Sequence, residues 1–181
     1  ISEHLITSLQ AVFEVEEPEK DGYQINRRTW YLGDWLRHTW YPEWRLRLFR
    51  KELGRWTENE VHESLELTGE CGRLAGDIYH YPYISIEHHF KKSIDYARIG
   101  ARELSIRGKC FSWQKLVLSP AWRFIRLLIF QQSWRDGWRG WIIAWSSMFS
   151  GFLKYAFLYE IERTNRNQHQ TTQNANRSED K

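Results

Sequence analysis

The chain has 181 residues, enough for a domain with a hydrophobic core. Its 26 basic and 23 acidic residues leave a net charge of +3, which is no polybasic surface, so we expect no nucleic-acid partner. Two cysteines without paired spacing, Cys71 and Cys110, favour a reduced cytosolic setting. The unusual number is 11 tryptophans, because Trp combines an apolar body with one N–H donor and collects at sugar-binding faces, partner interfaces and membrane boundaries.

The N-terminal segment predicts a helix followed by a strand. Apolar residues recur at spacings of three and four over residues 2–15, which predicts an amphipathic helix. After an acidic turn, Tyr23 and Ile25 alternate with polar residues as in a half-buried strand. Because the chain begins at Ile1, inside the helical pattern, we expect a fragment that lacks an N-terminal part.

Residues 29–42 have neither the helical nor the strand period and are rich in aromatic residues and arginine. An irregular segment of this kind between two strands usually forms the wall of a pocket. Trp35 is therefore a candidate substrate-binding residue. The alternative is a loop that packs on its own rings.

A basic strand follows, beginning at Trp44. Leu46 and Leu48 alternate with Arg45 and Arg47, so one face enters a core and the other presents guanidinium groups. Arg is a planar, permanently charged fork that grips phosphate or carboxylate, so both arginines, with Trp44 beside them, are candidates for substrate binding. In the alternative, the arginines pair with nearby acidic residues, which are Glu43, Glu52 and Glu58.

About a dozen residues later, His62 and Glu63 place an imidazole beside a carboxylate. These two groups are the ones most often used for proton transfer or metal binding. Anion-binding arginines so close in sequence to a pair of groups that can transfer protons predict transfer chemistry on an anionic substrate. On a strand, the two side chains would point to opposite faces, so only one would reach a site unless the chain kinks there. A surface pair at a strand end is the alternative.

Short strands are predicted as far as Pro82. Asp77 and His80 stand three residues apart beside a turn, where they either line a binding site or have only a structural role. A helical pattern then runs from Ile86 to Gly108. Its adjacent histidines, His88 and His89, lie about 100° apart around the helix axis, make a poor chelate and are expected on the surface.

The C-terminal region is apolar, yet the fourteen uncharged residues between Arg139 and Lys154 cover only about 21 Å, whereas a span needs ~20 residues. Trp stands next to Arg at several positions. Helices of this composition typically lie in the plane of an anionic membrane surface. The alternative is a buried helical hairpin. Residues 164–181 are polar without an apolar period and predict a disordered tail.

Several motifs follow one another in a fixed order along the chain. They are Trp44 to Lys51, Gly54-Arg55-Trp56, Val61-His62-Glu63, Gly76 to Tyr81 and Lys154-Tyr155, with Asp21-Gly22-Tyr23, Arg27-Arg28 and Tyr31-Leu32-Gly33 upstream. In this order they resemble the family 2 glycosyltransferases, most of all the lipopolysaccharide inner-core glycosyltransferases. The resemblance covers roughly residues 1–160.

The resemblance implies an inverting transferase with a GT-A, Rossmann-like fold, a nucleotide-sugar donor and a divalent metal, Mg or Mn. In that family the donor-binding strands and the metal motif lie N-terminal to the part seen here, so the chain alone is expected to be inactive. The implied fold class is α/β, with a partial GT-A sheet followed by amphipathic helices. The expected regions are an acceptor-side part (1–84), a membrane-associating helical part (85–163) and the tail (164–181).

An inverting transferase must deprotonate the acceptor hydroxyl while a nucleotide diphosphate leaves. The resemblance makes Glu63 the candidate base, with His62 completing the metal shell or holding the diphosphate. The implied reaction extends a lipid-linked or lipopolysaccharide-type saccharide at the cytoplasmic face of the inner membrane, by a peripheral protein. The alternative function is a non-catalytic module that binds a membrane surface or a partner. The expected substrate- and phosphate-binding residues are Arg45, Arg47, Trp44, Trp35, Asp77 and His80.

Overall fold

The structure is a computed structural model that describes residues 1–56 and 65–179, with side chains as far as 168, apart from that of residue 56. The chain divides into two compact units. The sheet unit contains Ile1–Ile86 and Gln131–Gly140, and the helical unit contains Glu87–Phe130 and Trp141–Lys181. The mixture of helix and sheet fits the predicted α/β class.

The sheet unit begins with the predicted helix, α1 (Glu3–Phe13). The hydroxyl of Ser2 caps it by accepting a hydrogen bond from the Leu5 N–H at 3.3 Å. Leu5 is fully buried and packs with Ile25 and Leu74, which form the core of this unit. The described residues then form six strands: β1 (Gly22–Tyr31), β2 (Asp34–Trp35), β3 (Trp44–Phe49), β4 (Gly54–Trp56), β5 (Leu65–Leu67) and β6 (Cys71–Tyr83).

Strand β1 is the centre of the main sheet. It pairs with β6 in parallel along its whole length, and with β3 and β2 in antiparallel orientation. Strands β4 and β5 form a separate two-stranded antiparallel sheet. In β3 the predicted alternation is confirmed, since Leu46 and Leu48 are half-buried while Arg45 and Arg47 are exposed.

Two strand boundaries differ from the sequence prediction. Residues 29–31, predicted to be irregular, complete β1, and the turn to β2 follows at Leu32 and Gly33, both with positive φ. Strand β6 continues through Pro82, where the sequence predicts an end. The proline is tolerated because β6 pairs with β1 alone among the described strands and because the register shifts close to it.

Residues 131–140 join the sheet unit from within the predicted helical region 85–163. The carboxylate of Asp136 accepts hydrogen bonds from three successive backbone N–H groups, those of Arg37, His38 and Thr39, at 2.9, 3.1 and 2.6 Å. Arg139 donates to the carbonyls of Tyr31 and Leu32. The segment after β2 is therefore fixed in place by residues that lie about one hundred positions later in the sequence.

The helical unit contains α2 (Ile86–Ile106), α3 (Trp113–Ile125) and α4 (Trp138–Glu179), whose first turn belongs to the sheet unit. Helix α2 is confirmed, and it ends just before Gly108, whose φ is +65°. Helix α3 contains Pro120, and a π-helical segment follows it. Across the described residues, no helix combines the length and apolarity needed to cross a bilayer.

Helix α4 continues to Glu179, whereas the polar composition of 164–181 predicts disorder. Extending an existing helix costs less than nucleating one, and Glu162 supports the extension through an ion pair with Arg166, one turn later, at 3.2 Å.

The prediction that the adjacent histidines lie on the surface is wrong for His89. Its side chain is buried, and its Nε2 lies 3.1 Å from the hydroxyl of Ser146, which in turn lies 2.8 Å from that of Ser93. The helical period turns one of two adjacent residues inward, and the serines of α2 and α4 supply the partners that a buried imidazole requires.

The buried histidine predicts a pH-dependent stability. Burial, with a smaller contribution from the charge of His88, lowers the pKa of His89 to about 4. In the unfolded protein the imidazole has a pKa of about 6.5, so it takes up a proton more readily there than in the folded protein. The folded protein is therefore most stable above pH 6.5 and loses stability as the pH falls from 6.5 towards 4. We expect the free energy of unfolding to fall by about 3 kcal/mol at most across this window, since each unit of difference between the two pKa values corresponds to about 1.4 kcal/mol.

Urea unfolding of the wild type and of His89→Gln between pH 4 and 7.5 measures this effect. His89→Gln should flatten the dependence, while the control His4→Gln, at an exposed histidine, should keep it. An equal slope in all three proteins would contradict the assignment.

Candidate functional site

The sheet unit contains a cleft of about 440 Å³ between the start of α1, strands β1 and β6, and the segment that leads into β3. This volume lies in the range of small-molecule sites. The strand register explains how the lining residues meet, because Asn26 lies opposite both Trp44 and Asp77, and Arg28 lies opposite Tyr79. Residues two apart on a strand share a face, so Asn26 and Arg28 enter the cleft together.

Asp77 is the carboxylate of the cleft. Its Oδ1 accepts hydrogen bonds from the Asn26 side-chain amide at 2.7 Å and from the Tyr41 hydroxyl at 3.3 Å, while its backbone N–H donates to Ser2. Within the described residues, its Oδ2 has no hydrogen-bond donor, so that oxygen is available to a ligand. Burial, followed by the charge of Asp77 and its hydrogen bond, raises the pKa of Tyr41, against the opposing charge of Arg28.

Arg28 is the cation of the cleft. Its Nε is buried without a hydrogen-bond partner, and no carboxylate of the described residues forms an ion pair with it. The guanidinium lies over the rings of Trp35 and Tyr41, with its carbon 5.9 and 5.8 Å from the two ring centroids. Cation–π contact compensates part of the cost of partly burying this charge, but it leaves the Nε–H without an acceptor among the described residues.

Aromatic rings form part of the wall. Trp44 lines the cleft, and the guanidinium of Arg73 lies over it at 4.7 Å from the ring centroid. The predicted substrate-binding residue Trp35 does not line the cleft, but its ring centroid lies 4.6 Å from that of Tyr79, which does. The segment that contains Trp35 and Tyr41 thus contributes to a pocket and also packs on neighbouring rings, as both interpretations of residues 29–42 proposed.

Neither of the two predicted anion-binding arginines lies in the cleft. Strand alternation turns Arg45 and Arg47 away from the face that carries Trp44. Arg45 pairs with Glu43 at 2.7 Å, and Arg27 binds the same carboxylate through two hydrogen bonds of 2.7 Å. Burial alone would raise the pKa of Glu43, but the hydrogen bonds and charges of Arg27 and Arg45 outweigh it and lower that pKa.

The remaining candidates are separated from the cleft or cannot be placed. His80 follows Asp77 by three positions, so strand alternation puts it on the opposite face. His62 and Glu63 lie outside the described residues. Within the part of the chain that the structure describes, no group of three or more His, Cys, Asp or Glu side chains is arranged to hold a metal ion. The divalent metal therefore remains a prediction.

Sequence reasoning did not select three of the residues that define the cleft, namely Asn26, Arg28 and Tyr41. The signal that could have found Arg28 is the Arg27-Arg28 pair at the end of a predicted strand. Adjacent strand residues face opposite ways, so one arginine is free to enter a site when the other takes a structural partner. Here Arg27 takes Glu43, and Arg28 enters the cleft.

A carboxylate, an amide, a guanidinium and aromatic rings around one cleft define a binding site for a polar organic ligand on an α/β scaffold.

The chain is similar to the lipopolysaccharide core biosynthesis glycosyltransferase LpsC of Rhizobium meliloti, with 28% identity over 146 residues, which are 77% of this chain and 53% of the relative. It is also similar to uncharacterized glycosyltransferases of Rickettsia typhi and Rickettsia prowazekii, with 25% and 24% identity over 92% of this chain and 61% of each relative.

These relatives support a glycosyltransferase family for the chain. The chain spans between 53% and 61% of their length. No protein-family model matches it, and no solved structure matches it.

Proposed function

We propose that the chain forms the acceptor-binding part of an inverting family 2 glycosyltransferase of the GT-A type. The reaction transfers a sugar from a nucleotide-sugar to a lipid-linked or lipopolysaccharide-type saccharide at the cytoplasmic face of the inner membrane. The observation that carries this proposal is the cleft of the sheet unit, where Arg28 and Asp77 both keep unused hydrogen-bonding capacity. Because the chain spans only part of its relatives, the whole reaction is proposed for a protein that includes this chain.

The chemistry of the cleft suits a saccharide. Sugar hydroxyl groups donate and accept hydrogen bonds at once, so they are bound well by a carboxylate and a guanidinium placed side by side. The apolar C–H face of a sugar ring packs on aromatic side chains, which Trp44, Tyr41 and Tyr79 supply here. A cation without a carboxylate partner also favours a saccharide that carries an acidic group.

The reacting groups belong to the proposal as well. Glu63 is proposed as the base that takes the proton of the acceptor hydroxyl, and His62 as a group that holds the diphosphate or the metal. Arg47 keeps an exposed guanidinium for phosphate, whereas Arg45 would first have to leave Glu43. When bound, the divalent metal would offset the negative charge that develops on the leaving diphosphate.

A binding titration and a transfer assay test the proposal. Oligosaccharides released from lipopolysaccharide cores are titrated into the 181-residue chain and followed by NMR, and the whole gene product is assayed for transfer from nucleotide-sugars. We expect shifts confined to signals from the cleft, and donor-dependent extension of the saccharide. The function would be refuted if the chain bound no saccharide and the gene product transferred no sugar. Unchanged turnover in Glu63→Gln would remove Glu63 alone from the base role.

A further inference from the structure

We propose that the helical unit binds the surface of an anionic lipid bilayer through an exposed aromatic face on α3 and α4. We define this aromatic face by the residues Val117, Leu118, Trp122, Trp141, Trp145, Phe149 and Phe152. The inference goes beyond sugar transfer and does not rest on it, because it uses no residue of the cleft.

The face on α4 is an ordered stripe. Trp141, Trp145, Phe149 and Phe152 lie within about 80° of one another at 100° per residue. Their side chains remain 45, 52, 38 and 45% exposed. A monomeric protein rarely leaves a row of large rings in water, so the stripe marks a contact surface.

Helix α3 carries its own exposed apolar residues, and it lies beside α4. Val117, Leu118 and Trp122 are 64, 65 and 55% exposed and cover an arc of about 140° around α3. The ring centroid of Trp113 lies 6.2 Å from that of Tyr159. Further along, the ring centroid of Phe124 lies 4.9 Å from that of Trp145. These two contacts mark the side of α3 that packs on α4, and the exposed arc begins beside it, at Val117.

The charges around the aromatic face identify the partner. Residues 109–130 and 141–159 contain five basic side chains and no acidic one. The acidic residues of the helical unit lie instead on α2, at Glu87, Asp95 and Glu103, and on α4 from Glu160 onward. The five basic residues are Lys109, Lys115, Arg123, Arg126 and Lys154.

Lys115 and Arg126 are exposed, and neither forms an ion pair with the described residues. The core of a protein interface is depleted of lysine. Exposed tryptophans bordered by unpaired cations fit the boundary of an anionic bilayer, where rings enter the headgroup region and cations meet lipid phosphates. A bilayer is therefore the occupant that the face fits best.

Co-sedimentation with vesicles tests the inference on the 181-residue chain, without donor or acceptor. We expect binding to vesicles enriched in phosphatidylglycerol, weaker binding as salt rises, and little binding to phosphatidylcholine alone. The double variant Trp141→Ser/Trp145→Ser should lose at least about tenfold in affinity because two rings no longer enter the interface. The control Tyr96→Ser removes a ring that is 61% exposed on α2 and should bind like the wild type.

A second variant keeps the test valid if the first one misfolds. Lys115→Glu/Arg126→Glu retains every aromatic ring and should also lose at least about tenfold. Equal binding to both vesicle types, or unchanged binding in both double variants, would overturn the proposal. So would a wild-type dimer that is lost in Trp141→Ser/Trp145→Ser while vesicles are not bound, because a second copy of the chain would then cover the face. A failed saccharide titration would leave this result unaffected.

Discussion

Replacing Arg28 with methionine is expected to weaken saccharide binding about 100-fold, because a charged, buried hydrogen bond contributes about 1.5–3 kcal/mol. Methionine keeps the apolar stem that packs near Trp35 and Tyr41 but removes the guanidinium. Titration of a core-type oligosaccharide into the 181-residue chain, followed by NMR or calorimetry, measures the loss.

Arg37→Met is the matched control, since Arg37 is an exposed arginine of the sheet unit whose backbone, not its guanidinium, binds Asp136. This variant should bind the saccharide like the wild type. If Arg28→Met also bound it like the wild type, the ligand would not depend on the cation of the cleft, and the cleft would lose its role as the acceptor site.

Replacing Gly76 with alanine is expected to destabilise the sheet unit by about 3 kcal/mol or more. Gly76 has a φ of +99°, where a side chain costs about 1–3 kcal/mol. An added Cβ would lie only 2.4 Å from the backbone nitrogen of Leu5 and 2.7 Å from the Ser2 hydroxyl. Because the clash is with backbone, α1 would have to move off the strand, which would disturb the bond between Ser2 and Asp77.

Gly33→Ala separates the two contributions. Gly33 has nearly the same φ, +97°, but its added Cβ would meet only the end of the Arg139 side chain, at 3.3 Å. Urea unfolding of both variants should therefore show a loss about 1–2 kcal/mol smaller for Gly33→Ala, since a side-chain end moves more easily than backbone. Equal losses would show that backbone conformation alone, and not close approach of α1, requires glycine at Gly76.

Periodicity predicted α1, α2 and the alternation of β3 because each depends only on neighbours along the chain. The site was predicted less well because it depends on pairings across the chain. Asp77 was selected from sequence, but its partner Asn26 lies 51 positions away, and only the parallel pairing of β1 with β6 brings the two together. Local composition favoured the arginines of β3 for the same reason that it missed Arg28, since it cannot tell which guanidinium has a carboxylate beside it.

Burial and strand ends also depended on residues that are distant in sequence. The sequence analysis expected both His88 and His89 on the surface, and it missed the burial of His89 because that depends on Ser146, which α4 contributes. Pro82 is a strong local signal for a strand end, and it was overridden by the position of β6 at a sheet edge.

The three hydrogen bonds from the backbone of residues 37–39 to Asp136 join parts of the chain that are synthesised at different times. During synthesis the strands of the sheet unit leave the ribosome long before the carboxylate that holds their connecting segment, with both helices α2 and α3 translated in between. A nascent chain that stops short of residue 136 leaves three backbone donors without their acceptor. These three hydrogen bonds can therefore form only after α2 and α3 have been synthesised.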